Sequence, residues 1–433
     1  MQVETPSASF ADRVLDLDCG AARVLALPTA AEHVVSFGGS FRTLPDFGAG
    51  QELEQKLAVM MLDKGTRLRD RFAVAEALDD RGIQLRFYEG GTRCGFGGRV
   101  LREDLDEVLA LVAEQLREPL FDAGEFEKVK AQHAASLRRS LDNTGVQAGG
   151  ALARHLYPGD HPNYAPEPAA LLERLDALSV DEVIAYHAKH FGARDLVLAF
   201  AGDLDADAVA SAVSGTLGDW DAPEEGAAFA EEAEPQPPGR TEIAIADRQN
   251  LDVRLGHAIA VRRDDEDYLP LYLGDYVFGG NFAARLMSTV RDEQGLTYGI
   301  RSGLSGVSVE HSAHWRIAVT LSGENLERGI EATLEQARLF VADGITEDEL
   351  DEKKTTITGT FKVGLATTGG LATSLLSNAE RHFDIGYLDR FPGLVEAVTR
   401  DQVDAAIRRH LDPERLHLTI AGTLPELGSV GGL

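Results

Sequence analysis

Two segments of the chain have the same pattern of apolar and polar positions. Residues 178–204 and 398–424 align without a gap at an offset of 220. In each segment a helix pattern follows a capping residue, and a strand pattern with alternating apolar side chains then runs into a glycine turn. The matched positions are Ser179, Leu196, Leu198, Phe200 and Gly202 in the first segment and Thr399, Leu416, Leu418, Ile420 and Gly422 in the second. The pattern predicts two copies of one α+β unit.

A second match and a change of composition support the duplication. Residues 78–85 align with 291–298 at an offset of 213, so both matches occur in the same order in each half. Between the halves, residues 221–239 are rich in Pro, Glu, Ala and Gly, which is typical of an extended linker. We therefore predict domains over 1–220 and 240–433. Each should be an antiparallel-rich mixed sheet with helices packed on one face.

The stretch 278–302 combines a helix pattern with a strand pattern. Phe282, Leu286 and Val290 recur every four residues, and Asn281 precedes them as a candidate N-cap. The helix should end near Gln294, because Gly295 can adopt the positive φ that follows many helix ends. Residues 296–300 are apolar, β-branched or aromatic, which predicts a strand beginning directly after the glycine.

Arg291 and Tyr298 lie on either side of this predicted turn. A guanidinium offers several fixed N–H donors and a phenol offers one more, so the pair suits binding of a peptide backbone or of a developing oxyanion. Alternatively, the two are an exposed helix-end arginine and a sheet tyrosine without a shared task. The first copy has Leu78 and Leu85 at these positions, so the fold alone does not require the polar pair.

The residues around this pair resemble a known family. The pattern R-x-x-x-G-L-x-Y after GG-x-F-x-x-R-L resembles the Arg/Tyr signature of the pitrilysin-type, or inverzincin, zinc peptidases, which include mitochondrial processing peptidase. The run Met61 to Thr66, MLDKGT, is similar to the segment that follows the family's H-x-x-E-H motif. The resemblance places the motif at residues 56–60 and the third metal ligand at Ser136.

The resemblance also implies that this chain has lost the family's metal site. Lys56 and Met60 occupy the histidine positions, and Val59 occupies the position of the general base. A catalytic zinc needs nitrogen or carboxylate ligands and a base that activates water, and none of these residues supplies them. We therefore expect no metal in this chain, with zinc held by a partner.

The resemblance leaves three kinds of function open. The leading hypothesis is a non-catalytic subunit that supplies Arg291 and Tyr298 to the zinc site of an H-x-x-E-H sister chain acting on peptides, with a homodimer possible when the partner is absent. The second is a scaffold or peptide-binding protein, as in the core subunits of respiratory complex III that resemble the family. The third is an enzyme with a new site, but the sequence contains no G-x-S-x-G or P-loop pattern.

Histidine pairs are the other candidate metal ligands. His187 and His190 are three residues apart on a predicted helix, and His311 and His314 are three apart in a predicted strand. His190 has a repeat counterpart in His410, which favours a structural role near a helix end.

Charge and composition exclude several partners. The formal net charge of −29 disfavours nucleic acid and anionic membrane surfaces. The two cysteines, Cys19 and Cys94, form no C-x-x-C motif, so the sequence predicts neither a zinc ribbon nor a disulfide framework. The first residues show no apolar signal-peptide core. We therefore expect a cytoplasmic protein, or a periplasmic one if a signal peptide has been removed.

Overall fold

A computed structural model describes residues 9–223 and 225–424. Six strands of the first half form one mixed sheet: β1 (Leu15–Cys19), β2 (Ala22–Pro28), β3 (Val34–Arg42), β4 (Gln84–Gly90), β5 (Arg93–Leu101) and β6 (Leu196–Gly202). Their order in the sheet is β1-β2-β6-β3-β5-β4. Strands β2 and β6 are parallel, whereas the other neighbours are antiparallel.

Five strands of the second half form the other mixed sheet: β7 (Arg240–Ala244), β8 (Asn250–Ile259), β9 (Thr297–Ser305), β10 (Ala313–Ser322) and β11 (His417–Gly422). Their order is β7-β11-β8-β10-β9, with β7 and β11 parallel and the other neighbours antiparallel. This order repeats β2-β6-β3-β5-β4 of the first sheet, strand for strand. The duplication predicted from the sequence is therefore confirmed in the topology.

The local signals that revealed the repeat have the predicted structure. Ser179 and Thr399 each form a capping box with the residue three positions later. Gly202 and Gly422 end the equivalent strands β6 and β11 with φ values of 148° and 150°. A side chain at either glycine would be strained. The repeated capping residues and glycines thus serve the same backbone positions in both copies.

Fifteen α-helices accompany the sheets within the described residues: α1 (Phe10–Arg13), α2 (Glu52–Met61), α3 (Arg71–Asp79), α4 (Leu105–Arg117), α5 (Ala123–Leu141), α6 (Thr144–Leu156), α7 (Pro168–Ala177), α8 (Val180–His190), α9 (Ala206–Thr216), α10 (Tyr268–Phe278), α11 (Leu326–Asp343), α12 (Glu347–Gly364), α13 (Thr368–Glu380), α14 (Tyr387–Ala397) and α15 (Arg400–His410). A separate π-helix spans Met287–Glu293. Within the same described ranges, no helix is long and apolar enough to cross a bilayer.

The chain forms two compact units that follow the two sheets but not the two halves of the sequence. Within the described ranges, the first unit comprises residues 9–134, 174–228 and 358–394, and the second comprises 135–173, 229–357 and 395–424. Helix α13 therefore packs in the first unit, where Leu371 and Leu375 belong to the same core cluster as Leu25 and Val197. Helix α6, from the first half, packs on β8 and β11 in the second unit. The predicted division at 221–239 separates the strands but not these helices.

Both units bury their central strands. Every residue of β6 is buried, as expected for a strand covered on both faces. In the second unit Trp315 of β10 is fully buried beside Phe278. The rings of Phe278 and Phe340 stack at 4.4 Å between centroids. The fold is therefore the predicted α+β pair of mixed sheets, with each sheet built around a buried centre.

Candidate functional site

The stretch predicted as an ordinary helix contains a π-helix. The helical turn begins near Arg285, and residues 287–293 then follow i→i+5 geometry, with the amide of Gln294 bonded to the carbonyl of Thr289 at 3.2 Å. The predicted earlier helix start at Asn281 is wrong, although its side chain does accept the Ala283 amide at 2.9 Å. Insertions of this kind frequently mark functional sites.

Gly295 ends the π-helix as predicted. Its φ is +64°, and its amide donates to the carbonyl of Arg291 at 3.0 Å. Strand β9 then begins at Thr297, whose hydroxyl bonds to the Thr320 carbonyl at 2.6 Å. The turn between helix and strand is therefore fixed at both ends.

Arg291 and Tyr298 line one surface pocket of the second unit. The pocket has a volume of about 520 Å³, and its other lining residues include Asn250, Thr320 and Asn325. Tyr298 is 94% exposed, which is exceptional for an aromatic residue at the start of a strand. Both side chains are therefore available to a ligand in this pocket.

The guanidinium of Arg291 rests on an aromatic ring. Its central carbon lies 4.7 Å from the ring centroid of Phe282, and one of its nitrogens lies 3.3 Å from Asp292. Phe282 itself is 72% exposed. Cation–π contact of this kind restricts the guanidinium without removing it from solvent. In the sequence, Phe282 is only one position of an apolar helix pattern, which does not indicate a contact with Arg291.

The degenerate metal-motif positions lie on α2 in the first unit. Lys56, Val59 and Met60 line a surface pocket of about 370 Å³ together with Glu89 of β4. The ammonium of Lys56 lies 2.6 Å from the carboxylate of Glu89. A cation thus occupies the position that the resemblance gives to a ligand, and it already has a carboxylate partner.

Helix α5 contains Ser136, the position that the resemblance gives to the third metal ligand. Burial lowers the pKa of His133 on α5, and the charge of nearby Lys56 lowers it further. Ser136 lies on the same helix, where its carbonyl accepts the hydroxyl of Ser140 at 3.2 Å. Over residues 9–223 and 225–424, no three His, Cys, Asp or Glu side chains are grouped as a metal site requires.

The histidine pairs have structural hydrogen bonds instead of a common ligand. His187 bonds to the Leu116 carbonyl and His190 to the Thr43 carbonyl, each at 2.8 Å. His410, the repeat counterpart of His190, bonds to Asp267 at 2.8 Å. His311 precedes β10 rather than lying within it, so the predicted strand placement of this residue is wrong.

Comparisons with known proteins agree with this structure. Residues 177–357 match the family model described as the Peptidase M16 inactive domain. A non-peptidase homolog, YmxG, of Helicobacter pylori is 26% identical over 309 residues, covering 70% of this chain and 69% of the relative. An uncharacterized zinc protease of Streptomyces coelicolor is 23% identical and covers 84% of this chain and 80% of the relative.

A solved structure shows the same similarity over nearly the whole chain. The peptidase M16 inactive domain from Pseudomonas fluorescens superposes with a TM-score of 0.83 at 25% identity, covering 95% of this chain and 98% of that one. The names of the relatives differ between protease and non-peptidase, and Lys56, Val59 and Met60 agree with the second description. The chain is thus similar to M16 peptidases of the inactive type, in agreement with the resemblance to the pitrilysin-type peptidases that its sequence shows.

Proposed function

We propose that this protein is the non-catalytic subunit of a heteromeric zinc peptidase. In this proposal Arg291 and Tyr298 bind the peptide substrate and stabilise the oxyanion at the zinc site of a sister chain that has the H-x-x-E-H motif. The observation that supports it most directly is the shared pocket: both polar side chains line it, and Tyr298 is 94% exposed. A structural tyrosine would normally pack part of its ring.

The chemistry is divided between the two chains. In the sister chain, the H-x-x-E-H residues would hold zinc, which would supply the activation of water together with the glutamate. In this chain, a phenol and a guanidinium donate hydrogen bonds to the carbonyl oxygen as it becomes negative, and such preorganised donors are worth most where charge develops. Helix α2 of this chain lacks the groups for the first task, because Lys56, Val59 and Met60 provide neither zinc ligands nor a general base.

A scaffold or peptide-binding protein without a peptidase role is the second candidate. The similarity to a non-peptidase homolog favours it, since that name assigns no catalytic partnership. Purification of this chain from its source, followed by identification of what is bound, separates the two candidates. A stoichiometric H-x-x-E-H chain supports the subunit role, and the compartment of that chain would also give the compartment of this one. A stable complex without any such chain contradicts it.

The first prediction concerns metal and activity in the isolated chain. Because Lys56, Val59, Met60 and Ser136 replace the expected ligands and base, the purified protein should bind no stoichiometric zinc and cleave no peptide. Elemental analysis after gel filtration in zinc-containing buffer measures this, with the purified H-x-x-E-H chain as the positive control. One tightly bound zinc per chain, with peptide cleavage that a chelator abolishes, would contradict the prediction.

The second prediction concerns Phe282 as a positioning residue for Arg291. Phe282→Leu should raise the KM of the reconstituted pair by roughly two- to fivefold, because an exposed cation–π contact is worth about 0.5–1 kcal/mol. Phe282→Tyr keeps a ring beneath the guanidinium and should leave KM unchanged. Since the side chain is largely exposed, neither variant should alter the melting temperature. An equal rise in KM in both variants would contradict the prediction, because the tyrosine variant keeps the aromatic ring beneath the guanidinium.

A further inference from the structure

Helix α10 of the second unit is the repeat counterpart of α2. Leu198 and Leu418 are equivalent by the 220-residue offset, and their strand partners are Gly39 and Leu255. Gly39 of β3 is therefore equivalent to Leu255 of β8, which is 216 residues later in the sequence. Helix α2 begins at Glu52, and α10 begins 216 residues later, at Tyr268. The positions of the family's metal motif thus have counterparts in the second unit.

Those counterparts form the sequence Tyr-x-x-Asp-Tyr. Lys56, Val59 and Met60 correspond to Tyr272, Asp275 and Tyr276. Asp275 is buried and accepts the indole N–H of Trp315 at 2.9 Å, so it belongs to the core. The two tyrosines are half-buried and lie one turn apart on the same face of the helix.

Tyr268 extends this pair to a row of three, which we name the tyrosine row. Ring centroids of Tyr268 and Tyr272 are 5.9 Å apart, and those of Tyr272 and Tyr276 are 6.0 Å apart. Alternate side chains of an extended peptide recur about every 6.6–6.8 Å on one face. A strand lying along α10 would therefore place one side chain near each ring, and long side chains can absorb the small difference in spacing.

The row already binds one guanidinium from its own chain. The central carbon of Arg263 lies 4.1 Å from the ring centroid of Tyr268. Three exposed carboxylates, Asp264, Asp265 and Glu266, immediately precede the helix. The row thus combines π faces with negative charge at one end, and both attract cations.

We propose that the tyrosine row is a binding platform for an extended peptide segment with arginine or lysine at alternate positions. The cationic side chains lie against Tyr272 and Tyr276, and the carboxylates before α10 bind the residues at one end of the segment. This proposal concerns binding by the isolated chain. It does not depend on a zinc-bearing partner or on the roles of Arg291 and Tyr298.

The test uses the full chain and a fluorescein-labelled peptide in which arginine alternates with threonine. Binding is measured by anisotropy, and a peptide with neutral citrulline in place of arginine is the comparison. The double variant Tyr272→Leu/Tyr276→Leu should weaken arginine-peptide binding about four- to twentyfold, since each cation–π contact at these half-buried rings should give at least the roughly two- to fivefold of a surface contact. Tyr272→Phe/Tyr276→Phe keeps both ring faces and should bind as the wild type does.

The charge of the chain provides the most important control. A protein with a net charge of −29 can attract a basic peptide anywhere on its surface, but none of these substitutions changes that charge. Tyr387→Leu, on α14, removes a tyrosine elsewhere and should leave the affinity unchanged. Equal binding by the double leucine variant, or equal binding of the citrulline peptide, would overturn the proposal.

A measurement without any destabilising substitution covers the case in which the leucine variant does not fold. Ring resonances of ¹³C-labelled tyrosine are followed in the wild-type chain during titration, after assignment with the single phenylalanine variants. The signals of Tyr272 and Tyr276 should shift and saturate with the anisotropy curve, whereas that of Tyr387 should not. Saturable binding that leaves the resonances of the tyrosine row unmoved would place the peptide elsewhere.

Discussion

Tyr298→Phe should reduce the turnover of the reconstituted peptidase pair by roughly ten- to a thousandfold. The change removes one hydroxyl from a residue that is 94% exposed, so stability and subunit association should be nearly unaffected. The loss should appear mainly in kcat, because a hydrogen bond to the oxyanion strengthens only as the transition state forms. Steady-state kinetics with saturating partner chain, together with melting curves, measure both quantities.

Arg291→Lys tests the same site through a different group. Lysine retains the charge but not the planar, two-pronged donor geometry, so activity should fall although the charge is kept. We expect more of this loss in KM, because the guanidinium binds the substrate backbone in the ground state as well. Tyr387→Phe, on α14 of the first unit, is the matched control and should be silent. Unchanged turnover in both site variants, with the complex intact, would leave only the scaffold role.

The features predicted correctly from sequence are those set by a few neighbouring residues. The capping boxes at Ser179 and Thr399 and the positive φ of Gly295 depend on side chains within one turn. Because the chain contains two copies of the same pattern, each copy supported the interpretation of the other. The two sheets share one strand order because the unit is duplicated.

Features that depend on distant residues were not predictable. The ion pair between Lys56 and Glu89 joins α2 to β4 across 33 residues, and no local pattern indicates it. The sequence also does not predict that α13 packs in the first unit, because the apolar positions of this helix could pack against either sheet. The π-helix at residues 287–293 differs from an α-helix only in its hydrogen-bond register, which a pattern of apolar residues every four positions cannot distinguish.

The second unit also contains a group of buried imidazoles. His161, His314 and His417 are buried, and burial lowers their pKa values to about 4, about 3 and about 4. The ring of His161 lies 4.2 Å from that of Tyr157 and 5.0 Å from that of His311. His417 stacks on His155 at 3.4 Å, so two positive charges could not coexist there.

Acidification from pH 7 to pH 5 should therefore lower the free energy of unfolding by several kcal/mol. The folded pKa values lie below the unfolded value of about 6.5, so the unfolded state binds protons first as the pH falls, and stability is lost between about pH 6.5 and 4. Each of the three imidazoles contributes roughly 2 kcal/mol at pH 5. Asp275 reduces this loss of stability by about 1.5 kcal/mol. Burial raises its pKa to about 6, so the folded state binds this proton before the unfolded state does as the pH falls.

Urea denaturation at a series of pH values measures how the free energy of unfolding changes with pH. Each unit contains one tryptophan, Trp220 in the first and Trp315 in the second, so a Trp220→Phe background makes fluorescence report the second unit. His161→Asn retains an acceptor for the Asn163 amide, which His161 accepts at 2.9 Å. This variant should reduce the slope of the unfolding free energy with pH by an amount that corresponds to at most one proton. The reduction should appear whether or not the variant changes the stability at pH 7.

His33→Asn is the matched control for that variant. His33 is exposed and has a positive φ of 63°, a conformation that asparagine tolerates well, so the change removes an imidazole from the surface without backbone strain. Because His33 lies in the first unit, this variant should leave the pH dependence of unfolding in the second unit as it is in the wild type. If His161→Asn and His33→Asn change the slope equally, or if wild-type stability is constant between pH 7 and 5, then the buried imidazoles of the second unit do not govern its response to acid.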